Sequence, residues 1–572
     1  MSNVRFWPAA VPVGTKLPGG ASPVTIDVPS GTTLLESARL AGILVESPCN
    51  GSGTCGKCRV RVSSASLPHI TLPAAESCDS GDSANDPEIL LACHAQVAGS
   101  GDIDLQPLDR QDKKALQILS HGQKLTVALA PVISKAYDPV ALVTSICDKD
   151  RVLGSEPGDT TAHHYGVVVD IGTTTLVAAL IDLKSGQEMA SASALNPQSL
   201  HAQDVLSRIR FAAEENGLDT LYRDIIDAIN TLIAQITQES GVKLSHIYEI
   251  VFSGNTCMLH LATGADPASL GKYPYTPLIR GGNVLPARQL GLTAAAFAEV
   301  YLPPIISAYV GADITAGILA ADLSRLDGTT LFVDIGTNGE MALAVDGQLT
   351  VTSTAAGPAF EGMNITHGMR AAPGALEKFQ ISADGDLEIQ TIGHEPATGI
   401  CGSGLLDIVG ELVRCGLVLK NGKLADRLTT TPALADKLVT QAGKPAFAVT
   451  DQVFLSQKDI RQVQLAKGAV RAGIECLLDA KELSAADVDR VFIAGSFGYH
   501  LNPASLVHTG LLPEAFRDKI QFLGNTAKTG GEALLLNRTA RHELSQLVQD
   551  VEVLELANVD NFDRTFVNCL SF

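Results

Sequence analysis

Residues 165–182 read YGVVVDIGTTTLVAALID: an apolar, β-branched run ends in Asp170, a Gly-Thr turn follows, and a second apolar run returns. Short apolar runs bounded by turn residues are the pattern of strands covered on both faces, as in an α/β domain. The same plan recurs at residues 331–347, LFVDIGTNGEMALAVDG. Two copies, each behind a β-branched run, predict a duplicated domain with two similar lobes. In the first copy the turn holds Gly172, Thr173, Thr174 and Thr175, whose N–H and hydroxyl groups suit phosphate oxygens. Asp170 at the strand end suits Mg²⁺, bound directly or through water. The second copy supplies Asp334, Gly336, Thr337, Asn338 and Gly339. Facing each other, the two hairpins would clamp a nucleoside triphosphate and its metal from both sides.

A third element, VFIAGSFGYHL at 491–501, is a strand running into a turn with Gly495, Ser496 and Gly498, placed to support an adenosine. Each of the three alone also reads as a tight β-turn, and the set of three in order is what points to a nucleotide. Between them lie STAAGPAFEG (353–362), with Glu361 as a candidate catalytic or metal-orienting carboxylate, and GICGSGLLDIVGEL (399–412), with Gly402, Ser403 and Gly404 as candidate nucleotide contacts. Cys401 in that stretch reads as a buried structural thiol or as a ligand shared across a dimer. Lys467, in DIRQVQLAKGAVRAGI, is a candidate contact for the base or ribose. Asp313 reads as a helix cap or a metal contact. Asn196, Gln198 and Asp204 are polar groups expected to border the phosphate site.

The cysteines carry a second chemistry. Cys49, Cys55 and Cys58, in CNGSGTCGKC, have C-x5-C-x2-C spacing, and Cys93 lies at a distance in LLACHAQ. Four thiolates suit a [2Fe–2S] cluster or a tetrahedral zinc. A zinc ribbon has two C-x2-C knuckles, and only one exists here. Gly51, Gly53 and Gly56 permit the positive φ values and close backbone approach that a wrapped cluster needs. One tight group of three and a distant fourth is the order of plant-type ferredoxins, with one extra residue in the first gap. Cys78 lies in a polar stretch, and the other cysteines read as small apolar fillers.

Composition narrows the rest. The 572-residue chain is 45% apolar and carries a net charge of −20, which argues against a nucleic-acid partner. Residues 1–20 lack the pattern of a signal peptide, and no apolar run is long enough to span a bilayer. A cytoplasmic setting is expected, where clustered cysteines hold metals rather than form disulfides. The chain divides into four segments: a ferredoxin-like unit at 1–105, a charged linker at 106–125, a small middle segment at 126–163 and an α/β unit at 164–572.

The motifs of residues 165–572 resemble the acetate kinase, sugar kinase, Hsp70 and actin superfamily, and the wider first cysteine gap resembles adrenodoxin-like ferredoxins. Together, CNGSGTCGKC, VVVDIGTTT, FVDIGTNGE, AGPAFEG, GICGSG, LAKGA and IAGSFG resemble the reductive activators of corrinoid proteins over nearly the whole length. The C-terminal stretch NFDRTFVNCLSF holds one cysteine, unlike activators with a C-terminal domain of two [4Fe–4S] clusters. The resemblance implies an N-terminal β-grasp [2Fe–2S] ferredoxin-like domain (α+β), fused to a large duplicated actin-like, ribonuclease H-like ATPase domain. It implies ATP and Mg²⁺ as further cofactors and ATP-dependent reduction of corrinoid cobalt from Co(II) to Co(I). The partners it implies are the corrinoid protein of a methyltransferase system and a low-potential electron donor, and it allows a homodimer. Two other functions fit parts of the pattern: an ATP-driven electron injector for a different low-potential enzyme, and a small-metabolite kinase with a redox-sensing domain.

Overall fold

The computed structural model describes residues 2–7, 23–43, 45, 47, 51, 58–72, 87–108, 128–149, 151–495 and 501–572. The linker expected at 106–125 falls mostly outside these, as do Cys49, Cys55, Cys78, Ser496 and Gly498.

The first unit is a five-stranded sheet in the order Val24–Val28, Ser2–Phe6, Asp102–Pro107, Arg59–Val62, Ile89–Leu91. Ser2–Phe6 and Asp102–Pro107 run parallel, and the other neighbours are antiparallel. Alternation in SNVRF turns Val4 and Phe6 inward, onto the helix Leu34–Leu40 and its buried Leu34, Leu35 and Ala38. That helix starts where the Thr33 hydroxyl accepts the Glu36 N–H at 3.0 Å. This is a β-grasp arrangement, and its last strand runs on to Pro107.

Residues 133–157 form a three-stranded antiparallel sheet that shares its core with the first lobe of the α/β unit. Ile133 and Ile146 are buried among first-lobe residues. Lys135 lies beneath the sheet, donating to Tyr248 Oη at 2.6 Å and to Glu156 at 3.1 Å. A buried ammonium with both a carboxylate and a phenol as partners has its desolvation offset only in that geometry, so the network pins the sheet to the first lobe.

The two lobes have the same sheet order. In the first, the core order is Glu188–Leu195, Thr175–Asp182, Tyr165–Ile171, Ile247–Gly254, Glu299–Leu302, with Asn283–Pro286 at the edge. In the second it is Gln348–Thr354, Gly339–Val345, Thr329–Ile335, Arg490–Ala494, Ile520–Gly524, with Glu552–Val553 beside the first of these. Each is an antiparallel meander of three strands followed by two parallel ones, and the duplication expected from the repeated motif is present.

The lobes also exchange helices. Ala312–Ala320 comes after the first sheet, yet its Ile314 and Ile318 are buried with Phe332, Ala342 and Ala344 of the second. Thr526–Leu536 comes after the second sheet, yet its Leu534 and Leu535 are buried with Val168, Ala179 and Val251 of the first. The exchanged helices touch each other at a point that tolerates no side chain, because a Cβ on Gly530 would lie 2.0 Å from the Ala316 carbonyl oxygen. Gly530→Ala must push the helices apart, at a cost of about 1–3 kcal/mol typical of overpacking. Guanidinium unfolding followed by far-UV circular dichroism is expected to show a lower midpoint, while the visible absorbance of the N-terminal unit stays unchanged.

Candidate functional site

Each Gly-Thr turn is closed by a backbone bond from its glycine. Gly172 N–H donates to the Thr175 carbonyl at 3.0 Å, and Gly336 N–H donates to the Asn338 carbonyl at 3.0 Å. The second turn is one residue tighter, and this changes what faces each aspartate. Asp170 pairs across its hairpin with Val177, whereas Asp334 pairs with Glu340. Residues directly opposite on an antiparallel pair share a face, so Glu340 joins Asp334. The motif alone does not single out Glu340. The register of the tighter turn is the signal that contains it.

The exchanged helices bring two further groups to the same place. Asp313 sits in the first turn of Ala312–Ala320, whose cap is Gly311, so the cap role expected for Asp313 is not the one it plays. It accepts the Ile314 N–H at 2.9 Å, and its charge acts on Asp334 and Glu340. Asn525 caps Thr526–Leu536 by accepting the Lys528 N–H, and it donates to Asp170 Oδ2 at 2.8 Å. Burial pushes Asp170 up to about 6 against the opposing bond from Asn525. Burial pushes Asp313 up to about 7, with the Asp170 charge adding to it. Asp334 also rises to about 7, through burial and the charges of Asp313 and Asp170. Glu340 is raised well above the usual carboxylate range by burial and by Asp313 and Asp334. Among the described residues no three such carboxyls come together as a ligand cluster, so a divalent cation here would be held by one or two of them with water and phosphate oxygens completing its shell.

The first turn is fixed from behind. Asn196 Nδ2 donates to the Gly172 carbonyl at 2.9 Å, and the Asn196 N–H donates to the Thr174 carbonyl at 2.9 Å. Arg208, fully buried, donates to the Thr173 carbonyl at 2.5 Å and to Gln198 Oε1 at 2.9 Å. Asn196 and Gln198, expected to border the phosphate site, hold the first turn and Arg208 in place. Asp204 caps the helix Val205–Ala212 that carries Arg208. Arg208 itself escapes sequence reading, since nothing distinguishes it from Arg210 in the same helix or shows the carbonyl it meets.

Glu361 lies between the lobes. Thr174 Oγ1 donates to one of its carboxylate oxygens at 2.5 Å, and Thr337 Oγ1 donates to the other. Gly495 has φ +113°, and a Cβ there would lie 2.5 Å from the Ile335 carbonyl and 3.1 Å from Asp334 Oδ1. The third turn therefore begins against the second hairpin.

Other candidates are placed elsewhere. Gly402, Ser403 and Gly404 are buried, and the glycines serve backbone packing: a Cβ would lie 1.8 Å from the Phe360 carbonyl at Gly402 and 2.2 Å from the Leu376 carbonyl at Gly404. The Lys467 ammonium, expected at the base or ribose, instead donates to the Ser571 carbonyl under the Phe572 ring. Cys401 is a buried thiol 3.0 Å from the Leu376 carbonyl, which is the structural role.

In the first unit, Cys58 Sγ and Cys93 Sγ lie 3.2 Å apart although they are distant in sequence. Two sulfurs on one tetrahedral metal at ~2.3 Å sit roughly 3.8 Å apart, so this pair suits one iron with little adjustment. Gly51 has φ +85°, and a Cβ on it would lie 3.9 Å from Cys93 Cβ, so Gly51 lies beside the fourth cysteine. These features fit a [2Fe–2S] cluster.

Comparison with known proteins agrees along the whole chain. The 2Fe-2S iron-sulfur cluster binding domain matches residues 20–98, the RACo middle region matches 165–326, and the C-terminal domain of RACo, the ASKHA domain, matches 328–572. The corrinoid activation enzyme RamQ of Eubacterium limosum is 32% identical over 414 residues, 70% of this chain and 69% of that one. A [Co(II) methylated amine-specific corrinoid protein] reductase of Methanosarcina barkeri is 25% identical over 71% of this chain and 77% of its own. The solved structure of a reductive activator for corrinoid, iron-sulfur protein superposes with a TM-score of 0.71 at 29% identity, covering 100% of this chain and 98% of that one. The chain belongs to the family of reductive activators of corrinoid proteins.

Proposed function

We propose that this protein uses ATP to reduce the cobalt of a partner corrinoid protein from Co(II) to Co(I), one electron at a time. The observation that carries this function is the presence in one chain of a converged thiol pair, Cys58 and Cys93, and a separate two-lobed cleft in which Thr174 and Thr337 meet at Glu361. When bound, the [2Fe–2S] cluster supplies a one-electron store, and Mg²⁺-ATP supplies the free energy for an uphill transfer. Moving one electron uphill by ~200 mV costs roughly 4–5 kcal/mol.

The chain's residues divide the work. Cys49, Cys55, Cys58 and Cys93 hold the cluster. Asp170, Asp313, Asp334 and Glu340 counter the charge of Mg²⁺. The N–H and hydroxyl groups of residues 172–175 and 336–339 take phosphate oxygens from opposite sides, so a nucleotide held by both turns draws the lobes together. Arg208 and Asn196 keep the first turn in shape, and Asn525 orients Asp170. The turn that begins at Gly495 takes the adenosine, with Ser496 and Gly498 as its expected contacts. The buried positions of Gly402, Gly404 and Lys467 favour roles in holding these elements rather than in touching the nucleotide. The low-potential donor that loads the cluster, a cytoplasmic setting and a homodimeric working form belong to the same proposal. They rest on the family resemblance and on the need for reduced thiols as ligands. Among the described residues no helix is long and apolar enough to cross a membrane.

The direct test is anaerobic reduction of a purified cob(II)alamin protein, followed by visible absorbance with a chemical reductant, with and without Mg²⁺-ATP. Co(I) is expected only when this protein, the reductant and ATP are all present. ATP hydrolysis without Co(I) across several corrinoid partners would assign the electron to another low-potential acceptor.

The two units are expected to fail separately. Asp170→Ala should abolish ATP-dependent Co(I) formation and leave the cluster spectrum intact. Cys58→Ala should remove the cluster absorbance and leave nucleotide binding intact. Electron paramagnetic resonance of the reduced protein and equilibrium nucleotide binding check the pair, and loss of both signals in either variant would count against independent units.

A further inference from the structure

We propose that Glu361 makes the cleft discriminate a nucleoside triphosphate from a diphosphate, by occupying the hydroxyl groups that the terminal phosphoryl group must take. The proposal rests on the nucleotide site described above and adds a role for one residue in it.

A carboxylate is an acceptor only, so both threonine hydroxyls are committed as donors to Glu361. Thr174 belongs to the first lobe's turn and Thr337 to the second lobe's turn. Glu361 belongs to the second lobe, because it ends the short helical turn Pro358–Glu361 that comes after the strand Gln348–Thr354. The bond to Thr337 therefore holds Glu361 to its own lobe, and the bond to Thr174 crosses the cleft.

The backbone of that turn is fixed. A Cβ on Gly402 would lie 1.8 Å from the Phe360 carbonyl. Gly362 has φ +77°, and a Cβ there would lie 2.5 Å from the Met369 carbonyl. With glycine contacts on both sides, Glu361 leaves the threonines by rotation of its side chain and not by retreat of its backbone.

A terminal phosphoryl group is also an acceptor-only anion and seeks the same two donors. Two anions on one pair of hydroxyls repel at short range in a partly desolvated cleft. Arrival of the terminal phosphoryl group must expel the carboxylate and exchange the Glu361 bridge for a phosphate bridge. A diphosphate stops short of that position and leaves Glu361 in place. The two turns thus stay joined in the nucleotide-free and diphosphate states through Glu361, and in the triphosphate state through the nucleotide. This gives the family's ATP requirement a specific reporter at the cleft.

Equilibrium binding of ADP and of a non-hydrolysable ATP analogue, with Mg²⁺ and the full chain, tests this for Glu361→Ala and Glu361→Gln. The analogue is expected to bind ~10-fold tighter to Glu361→Ala, within the usual range of coupling between two ligands of one site, while ADP binding stays level. Hydrogen exchange of peptides spanning 172–175 and 336–339 should be faster in nucleotide-free Glu361→Ala than in the parent, and equal in the two once the analogue is bound. Unchanged or weaker analogue binding would overturn the proposal and leave Glu361 as a static brace or a group that assists hydrolysis. If Glu361→Ala does not fold, Glu361→Gln carries the test, since it keeps the size and removes the charge. The measurement uses no corrinoid protein and no reductant. A failed cobalt assay therefore leaves it standing, and a flat ratio of analogue to ADP affinity overturns it without touching cobalt reduction.

Discussion

Everything at the cleft depends on the contact between the exchanged helices. Gly530 has no side chain, so the backbone of Thr526–Leu536 comes close against the Ala316 carbonyl. Gly317 does the same beside the start of the other helix, where a Cβ would lie 3.1 Å from Thr526 Oγ1. Small residues at both points let the helices cross at short distance, and each helix is then held by the core of the lobe that did not precede it in sequence. The consequence is directional. The N-terminal end of Ala312–Ala320 delivers Asp313, and that of Thr526–Leu536 delivers Asn525 to Asp170. Two helix N-termini beside Asp170 and Asp334 favour anionic ligands through their free N–H groups and dipoles.

The carboxylates show how the fold sustains an arrangement that is unfavourable by itself. Burial raises Asp170, Asp313, Asp334 and Glu340, and the charge of neighbouring carboxylates adds to it at Asp313, Asp334 and Glu340. A protein can hold such a group only if strands and helix ends over-determine the positions, and here they do. Asp170 and Asp334 end central strands, Glu340 is fixed by the register opposite Asp334, and Asp313 is fixed by its helix. The lobes are not equivalent in this respect. The tighter second turn supplies an extra carboxylate, whereas the first lobe places Val177 at the matching position and takes an amide, Asn525, as its polar partner. The duplication is preserved in strand order and has diverged in chemistry.

The strands and their motifs were legible because they are local. An apolar run, an aspartate and a Gly-Thr turn contain both hairpins, and repetition contains the two lobes. The cysteine spacing contained the thiol pair, and AGPAFEG singled out Glu361 before its partners were known. What stayed hidden was contact at long range. Asn525 reaches Asp170 across 355 residues, and a helix cap in sequence gives no hint of its second partner. Arg208 meets the Thr173 carbonyl through packing alone. Lys467 reads as a base or ribose contact because it stands near the start of the adenosine half, but the C-terminal residues Ser571 and Phe572 account for its ammonium. Gly402 and Gly404 looked like a phosphate turn because glycine pairs serve close approach of any backbone, and here the approaching backbone is the protein's own.

The same helix exchange ties the cleft to the place where the chain enters the ATPase unit. Asn525, hydrogen-bonded to Asp170, begins the helix Thr526–Leu536, and an 11-residue helix spans roughly 16 Å. At its far end the Leu536 carbonyl accepts the Ala130 N–H at 2.8 Å, and the Ala130 carbonyl accepts the Arg538 N–H at 2.9 Å. Asn537 adds a bond to the Ala128 carbonyl at 3.0 Å. Residues 128–130 are the first described ones after the ferredoxin-like unit, and they lead directly into the small sheet that Lys135 pins to the first lobe. A helix is stiff along its axis, so displacement of its N-terminus at Asp170 moves Ala130 with it. The small sheet shares the first lobe's core and moves as part of that lobe. The bonds at residues 128–130 therefore fix to the first lobe the described residues that follow the ferredoxin-like unit. One helix with a hydrogen bond at each end thus links Asp170 at the cleft to Ala130, where the described chain enters the small sheet.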